Sequence, residues 1–288
     1  MRLLIVNPYA SGVTDVRVEK VRAALGDVSL EQTLHPGHAI ELAREAGDAE
    51  AVYVCSGDGG FNEVLNGIGP DTPVGFIPGG GANVLPRALG LPRDPIEAAE
   101  HVAAGTPRRI SLGRVNGRRF GFSAGVGFDA EAVRRLDALG RTQEDGRAGN
   151  FRFAWEVTQL ITERRGRFEP ALEVLGHGRA AFAFIANCDP YTYAGLIPIR
   201  AAPEARFELG LDLVAPRAVS PAAIPRLVTY ALRGKGQATA GDVLYAHDVD
   251  RIELVCDHPL PLHVDGEDLG DVTSALFEAD REAVLVLN

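Results

Sequence analysis

The chain has 288 residues, 46% of them hydrophobic, and a formal net charge of -10. That length is enough for two domains with a core each. The acidity argues against nucleic acid as a partner, since its phosphates attract a basic surface. No apolar run approaches a membrane span, and the four-residue run before Asn7-Pro8 is too short for a signal segment, so a cytoplasmic protein is expected. Cys55, Cys188 and Cys256 are odd in number and far apart, which excludes a disulfide framework and a zinc spacing; each reads as a small buried apolar residue.

The first hundred or so residues alternate strand and helix. Leu3-Leu4-Ile5-Val6 reads as a strand ending in the turn Asn7-Pro8-Tyr9-Ala10-Ser11-Gly12. A helix over 16–25, a strand over 28–34 and a helix over 38–46 follow. Ala51-Val52-Tyr53-Val54 is a buried-strand run that enters a second glycine turn at Ser56, Gly57, Asp58, Gly59 and Gly60. Phe61, Val64, Leu65 and Ile68 then fall on one helix face. The strand over 73–77 ends in a third turn, Pro78-Gly79-Gly80-Gly81-Ala82-Asn83, before helical spacing resumes at Val84-Leu85. Asp94 and Pro95 are the N-cap and first residue of a helix over 95–104. This is an open α/β unit. His35 and His38 could hold a metal, but Pro36 and Gly37 favour a surface loop.

Glycine allows positive φ and lets a ligand approach bare backbone N–H groups. A strand, a glycine turn and a helix N-terminus together form an anion site. Three such turns at one edge of a parallel sheet predict a nucleotide phosphate site. Asp58 would repel phosphate unless a divalent cation lies between them or it binds a sugar hydroxyl; otherwise it caps the helix or braces the turn.

Beyond Arg109 the pattern becomes β-like. Residues 110–115 and 118–122 flank Asn116-Gly117, a two-residue hairpin signal. Further β-like segments lie at 171–175, 180–186, 207–214, 251–255, 261–264 and 283–287. Helical stretches are expected at 130–139, 151–165 and 221–233, with Phe151, Trp155 and Leu160 on a core face. Gly121-Phe122-Ser123-Ala124-Gly125 matches the nucleophile elbow of serine hydrolases, but that motif needs a strand running straight into a helix, and Gly127 delays the helix here.

The runs Asn7-Pro8-x-x-Ser11-Gly12, Gly57-Asp58-Gly59-x-x-Asn62-Glu63-Val64-x-Asn66-Gly67, Pro78-x-Gly80-x-x-Asn83 and Val264-Asp265-Gly266-Glu267 occur in the order of the diacylglycerol kinase catalytic family, and the chain resembles that family. The family includes bacterial soluble lipid kinases and sphingosine kinases and is distantly similar to NAD kinases. The resemblance implies an N-terminal open-sheet, Rossmann-like and NAD-kinase-like α/β domain over 1–109. A larger β-rich, β-sandwich domain with helices follows over 110–279. A cleft lies between them, and a last strand near 280–288 returns to the first domain. It implies ATP and Mg²⁺ as cofactors and a lipid alcohol such as diacylglycerol as substrate. Asn7, Ser11, Gly12, Ser56, Gly57, Asp58, Gly59, Gly60, Asn62, Glu63, Gly79, Gly80, Gly81 and Asn83 fall at its nucleotide motifs. Asp265 takes the place of the base, with Glu267 as partner. Asp58, Asp265 and Glu208 are the candidate metal ligands, and Asp212 is a substitute for Glu208. Asp129 either lines the cleft or caps the next helix.

The chain departs from the family at Gly60, usually Thr, at Gly81, usually Thr or Ser, and at Val84, often Asp. Replacing Gly60 by Thr is therefore expected to raise turnover. There is no Walker lysine; Lys20 and Lys235 stand elsewhere, and Arg87 occupies a place where the family usually has arginine. The arginines at 134, 135, 141, 147, 152, 164, 165 and 167 form a basic stretch that either faces anionic lipid or pairs locally with Glu144, Asp145, Glu156 and Glu163. Tyr191 and Tyr193 either face the cleft or pack in the core. A sphingoid-base kinase, a nucleotide-binding pseudokinase and, less favoured, an esterase using Ser123 are the competing readings. Peripheral membrane contact and a homodimer are expected partners.

Overall fold

The computed structural model describes residues 1–138 and 148–288, with side chains for 1–138 and from 153 onward. Arg141, Arg147, Glu144 and Asp145, and the side chains of Phe151 and Arg152, therefore lie outside the described residues. Two compact units form: Met1–Leu112 with Arg281–Asn288, and the remainder between Gly113 and Asp280.

The first unit contains β1 (Arg2–Val6), α1 (Asp15–Leu25), β2 (Ser29–Gln32), α2 (His38–Glu45), β3 (Ala51–Ser56), α3 (Asp58–Gly67), β4 (Val74–Pro78), α4 (Val84–Ala88), α5 (Pro95–Ala104) and the first part of β5 (Pro107–Val115). Strands pair in parallel in the order β2-β1-β3-β4, and Val286, from the far end of the chain, pairs in parallel with Val74. β3 and β4 are buried throughout, which is what continuous apolar runs predict for strands covered on both faces. The sheet order reverses at β1 and β3, so the turns after these strands flank a topological switch point, where open α/β sheets bind ligands. Helix α5 has the expected bounds, with the Asp94 carboxylate accepting the N–H groups of Ile96 and Glu97.

The second unit begins with the end of β5 and continues through β6 (Arg118–Phe120), β7 (Ser123–Val126), α6 (Phe128–Ala138), α7 (Ala148–Glu163), β8 (Leu172–Val174), β9 (Gly178–Ala180), β10 (Ala183–Ala186), β11 (Thr192–Ala194), β12 (Ile197–Ile199), β13 (Leu211–Pro216), α8 (Ile224–Arg233), β14 (Val243–Val249), β15 (Arg251–Val264) and most of β16 (Glu267–Leu287). Its sheet is antiparallel in the order β14-β13-β10-β7-β15-β16. The two halves of β15 pair with different strands: Leu254–Cys256 with β8, Leu262–Val264 with β7. Phe120 and Phe277 meet edge to face in its core.

Several expectations need correction. The short segments at 251–255 and 261–264 are one strand, and 283–287 is the end of the 21-residue β16. The range 180–186 splits into the end of β9 and β10. Trp155 is 61% exposed and is not on a core face, whereas Leu160 is fully buried. Helix α6 starts at Phe128, so Asp129 lies inside the first turn and is not its N-cap. Ser123 is buried at the start of β7, and Gly127, at φ +97°, separates that strand from α6. The elbow geometry is absent. Cys55, Cys188 and Cys256 are buried free thiols, and burial pushes the Cys55 thiol up to about 12.

Candidate active site

Within the first unit the three glycine turns touch one another through backbone. The Gly12 N–H donates to the Gly79 carbonyl at 2.8 Å, and the Gly79 N–H donates to the Ser56 carbonyl at 2.7 Å. A Cβ at Gly12 would lie 2.8 Å from the Gly79 oxygen, and one at Gly80 would lie 2.7 Å from the Gly57 Cα. None of the glycines at 12, 57, 60, 79 and 80 has positive φ. The sequence therefore needs glycine here for a different reason from the one expected: the turns must come within contact distance of each other. Asn7 braces the first turn by accepting the Tyr9 N–H, and Asn83 closes the third, accepting the Gly80 N–H and donating to the Gly80 carbonyl.

No side chain caps α3 at Gly57, so the helix presents first-turn N–H groups at the second glycine turn. Gly57, Gly59, Gly60 and Gly80 are partly exposed, Gly81 is exposed and Ser11 is half-buried, so these positions are reachable by a ligand. Asn62 and Glu63 are turned to structural work. Asn62 is buried and accepts the Asn66 side-chain amide, while Glu63 accepts the N–H groups of Gly37 and Ala39 and so caps α2.

Ser56 accounts for one departure in the motif. Its hydroxyl is 1% exposed and has no hydrogen-bond partner among the described residues. A Cβ on Gly60 would lie 2.1 Å from the Ser56 Oγ. Ser56 thus fills the space that a side chain at 60 needs, which overturns the expectation that Thr at 60 alone improves the site.

Asp58 accepts the Leu85 N–H at 3.2 Å, so it braces α4 across the second and third turns. Two arginines reach the same corner. Arg17 donates to the Gly12 carbonyl, and Arg87 to the Ala82 carbonyl at 3.4 Å. Arg17 was not found from the sequence; its signal is its place on the first turn of the helix that follows the first glycine turn. His35 lies in the loop before α2, whereas His38 is the first residue of that helix; it accepts the Leu34 N–H, and the two rings are 4.9 Å apart.

In the second unit, Asp265 and Gly266 are the central residues of the two-residue hairpin joining β15 to β16, at φ +47° and +78°, with Val264 opposite Glu267. Both positive φ values are those of the tight turn that suits strand twist. The turn is not a solvated one, because Asp265 is only 4% exposed. Its carboxylate accepts three N–H groups, from Gly121 at 2.6 Å, Phe122 at 3.0 Å and Ser123 at 3.1 Å. Glu267, about a quarter exposed, pairs with Arg118.

A buried polar cluster occupies the same unit. Asp129 receives the Tyr191 hydroxyl and His263 Nε2, the latter at 2.8 Å, and His263 Nδ1 has no partner among the described residues. Tyr191 is therefore in the core, where burial and then the Asp129 charge push its phenol up. His263 gave no signal in the sequence because Leu262, His263 and Val264 are all buried, and the alternation that marks a half-buried strand is missing.

Among the described residues, no three acidic, His or Cys side chains gather as a metal site. Asp265 is buried and accepts three backbone N–H groups, Glu208 is exposed, and Asp212 binds His247. These do not fit a protein-built Mg²⁺ site. Asp58 fits the commoner arrangement, in which one carboxylate assists an ion carried mainly by phosphates. The basic stretch is also locally paired: Arg134 with Asp268 and Asp271, Arg135 with Glu131 and Glu163, and Arg164 with Glu131.

Residues 2–115 match the model of the diacylglycerol kinase catalytic domain. The chain is 39% identical over 116 residues to a diacylglycerol kinase of Bacillus subtilis, covering 38% of each protein. It therefore matches well under half the length of that relative. Its fold is that of a diacylglycerol kinase crystal structure from Bacillus anthracis (TM-score 0.71, 21% identity, 99% of this chain and 96% of that one). An NAD kinase from Archaeoglobus fulgidus, solved in complex with ATP, shares the fold more loosely (TM-score 0.53, 13% identity, 100% of this chain and 94% of that one). Over residues 2–115 the chain is similar to the diacylglycerol kinase catalytic domain.

Proposed function

We propose that this protein is an ATP-dependent lipid kinase that phosphorylates the hydroxyl of diacylglycerol or a related lipid alcohol, giving a product such as phosphatidic acid. The observation that carries the reading is the hydrogen-bonded convergence of the Gly12, Ser56–Gly60 and Gly79–Gly81 turns at the switch point of a parallel sheet. The triphosphate is held by backbone N–H groups of these turns, with Arg17 and Arg87 adding positive charge. Asp58 would assist in holding a Mg²⁺ ion brought in with ATP, which would supply neutralisation of phosphate charge. Ser56 Oγ, buried without a partner, supplies a hydroxyl at this corner.

At the acidic hairpin the two carboxylates divide the work. The resemblance implies Asp265 as the base, but Asp265 is buried and held by three N–H groups, so we assign proton acceptance from the attacking hydroxyl to its partner Glu267, which pairs with Arg118 and is the more exposed of the two. The protein works in the cytoplasm at a membrane surface, where its substrate resides. Incubation with γ-labelled ATP and a panel of diacylglycerols, sphingoid bases and other lipid alcohols tests the reading. Label is expected in diacylglycerol extracts. Label in no lipid, with ATP bound, would replace the kinase by a nucleotide-binding protein.

A further inference from the structure

The β11–β12 hairpin and α8 carry a surface the proposed chemistry does not use. β11 and β12 form a two-stranded sheet of their own, packed on α7 and α8. Leu196 and Ile197, at its tip, are 68% and 55% exposed. Helix α8 has no buried residue. Ile224 and Leu227 lean on the core, whereas Val228 and Leu232, one turn apart, are exposed. Trp155, the only tryptophan, is exposed on the helix beside the hairpin. Apolar groups gathered in this way at a surface mark a contact with something apolar.

The surrounding charge says what that is. Residues 213–241 contain Arg217, Arg226, Arg233 and Lys235 and no carboxylate, within a chain of net charge -10. Of the nearby carboxylates, Asp242 pairs with Arg226 and Asp189 with Arg200, while Glu204, next to the Pro203 that lies against Gly234, accepts the Tyr245 hydroxyl. Arg233 and Lys235 have no carboxylate partner among the described residues. Leu232, Arg233 and Lys235 lie within four positions at the C-terminal end of α8, so apolar and cationic groups share one edge. A second copy of the chain docked face to face would bring these cations together, which is unfavourable. An anionic bilayer meets both the apolar and the cationic groups. The paired arginines at 134, 135 and 164 have no such claim.

We propose that the β11–β12 tip and the outer face of α8 form the surface by which this protein docks on anionic membrane, with Leu196, Ile197, Val228 and Leu232 entering the interface and Arg233 and Lys235 meeting lipid headgroups. The choice of a membrane rests on the lipid-kinase reading, but its test does not. Flotation of the full chain with vesicles of equal parts phosphatidylcholine and phosphatidylglycerol, without ATP or diacylglycerol, reads docking alone. Binding is expected on these vesicles and not on phosphatidylcholine. Replacing Arg233 and Lys235 together by Gln should lower the partition coefficient about thirtyfold. Leu196→Ser with Ile197→Ser should lower it about tenfold on the same vesicles. Melting temperature, and transfer to a short-chain lipid alcohol dispersed in water, should stay at the wild-type level. Wild-type protein that fails to float, or variants that float equally well, would overturn the proposal. A dimer that dissociates to monomer in the Leu196/Ile197 variant by sedimentation equilibrium would also overturn it and assign the surface to a second copy. Failure of the kinase reading would instead leave flotation intact and abolish label transfer.

Discussion

Ser56 and Gly60 illustrate how neighbouring residues share one space. The motif shows a missing Thr at 60, and only the coordinates show the Ser56 hydroxyl standing where that side chain would begin. Gly60→Thr alone is predicted to destabilise the protein by about 1–3 kcal/mol through overpacking, seen as a lower urea midpoint and weaker ATP binding. Ser56→Gly combined with Gly60→Thr should recover both, a non-additive pair. The two acidic hairpin residues should separate in the same kind of experiment. Asp265→Asn removes the charge from three N–H bonds and is expected to cost about 1.5–3 kcal/mol for each bond fully lost. Glu267→Gln loses only a partly exposed pair, worth at most about 1 kcal/mol. Motif spacing located both residues. It could not reveal their division of labour, because the partners of Asp265 lie some 140 positions earlier in the chain.

At the scale of elements, the α/β half was legible because each strand is a continuous apolar run followed by a punctuating turn. Helix α5 carries its cap and first-turn proline in plain view. The antiparallel half was harder. β7 is made of Ser, Ala, Gly and Val, with little β-propensity, and acquires its conformation from β10 and β15 on either side. Long β16 reads as polar because many of its side chains face water. Glu63 shows an element-scale role hidden inside a ligand motif. Glu63→Ala should cost about 1 kcal/mol as α2 loses its cap, while ATP affinity by calorimetry stays the same; a matching loss of affinity would return Glu63 to the binding site. In the second unit, burial pulls the Asp268 carboxyl up, but the bonds from Arg134 outweigh it and hold the group below its ordinary 3.8. Its folded value thus lies below the unfolded one, so the pair stabilises fully above pH 3.8 and progressively less as pH falls through the depressed value. The stability gap between wild type and Asp268→Asn, followed by urea melts, should be at most about 1 kcal/mol at pH 7 and close in strong acid.

At the scale of the whole molecule, four short motifs in order carried the resemblance, the last of them in the second unit, while the family model matches residues 2–115. The proposed docking surface was not legible, because it lies outside the basic run that stood out in the sequence, where Arg134, Arg135 and Arg164 pair with Glu131, Glu163, Asp268 and Asp271. Exposure of Leu196 and Leu232 is a property of packing and has no mark in composition. Nucleotide binding is proposed for the turns of the first unit and proton acceptance for the β15–β16 hairpin of the second. The most direct test measures ATP binding by calorimetry and γ-phosphate transfer to diacylglycerol side by side for wild type and Glu267→Gln. The account predicts equal ATP affinity with transfer reduced about 10²–10⁴-fold in the variant. Transfer at the wild-type rate in Glu267→Gln would contradict it.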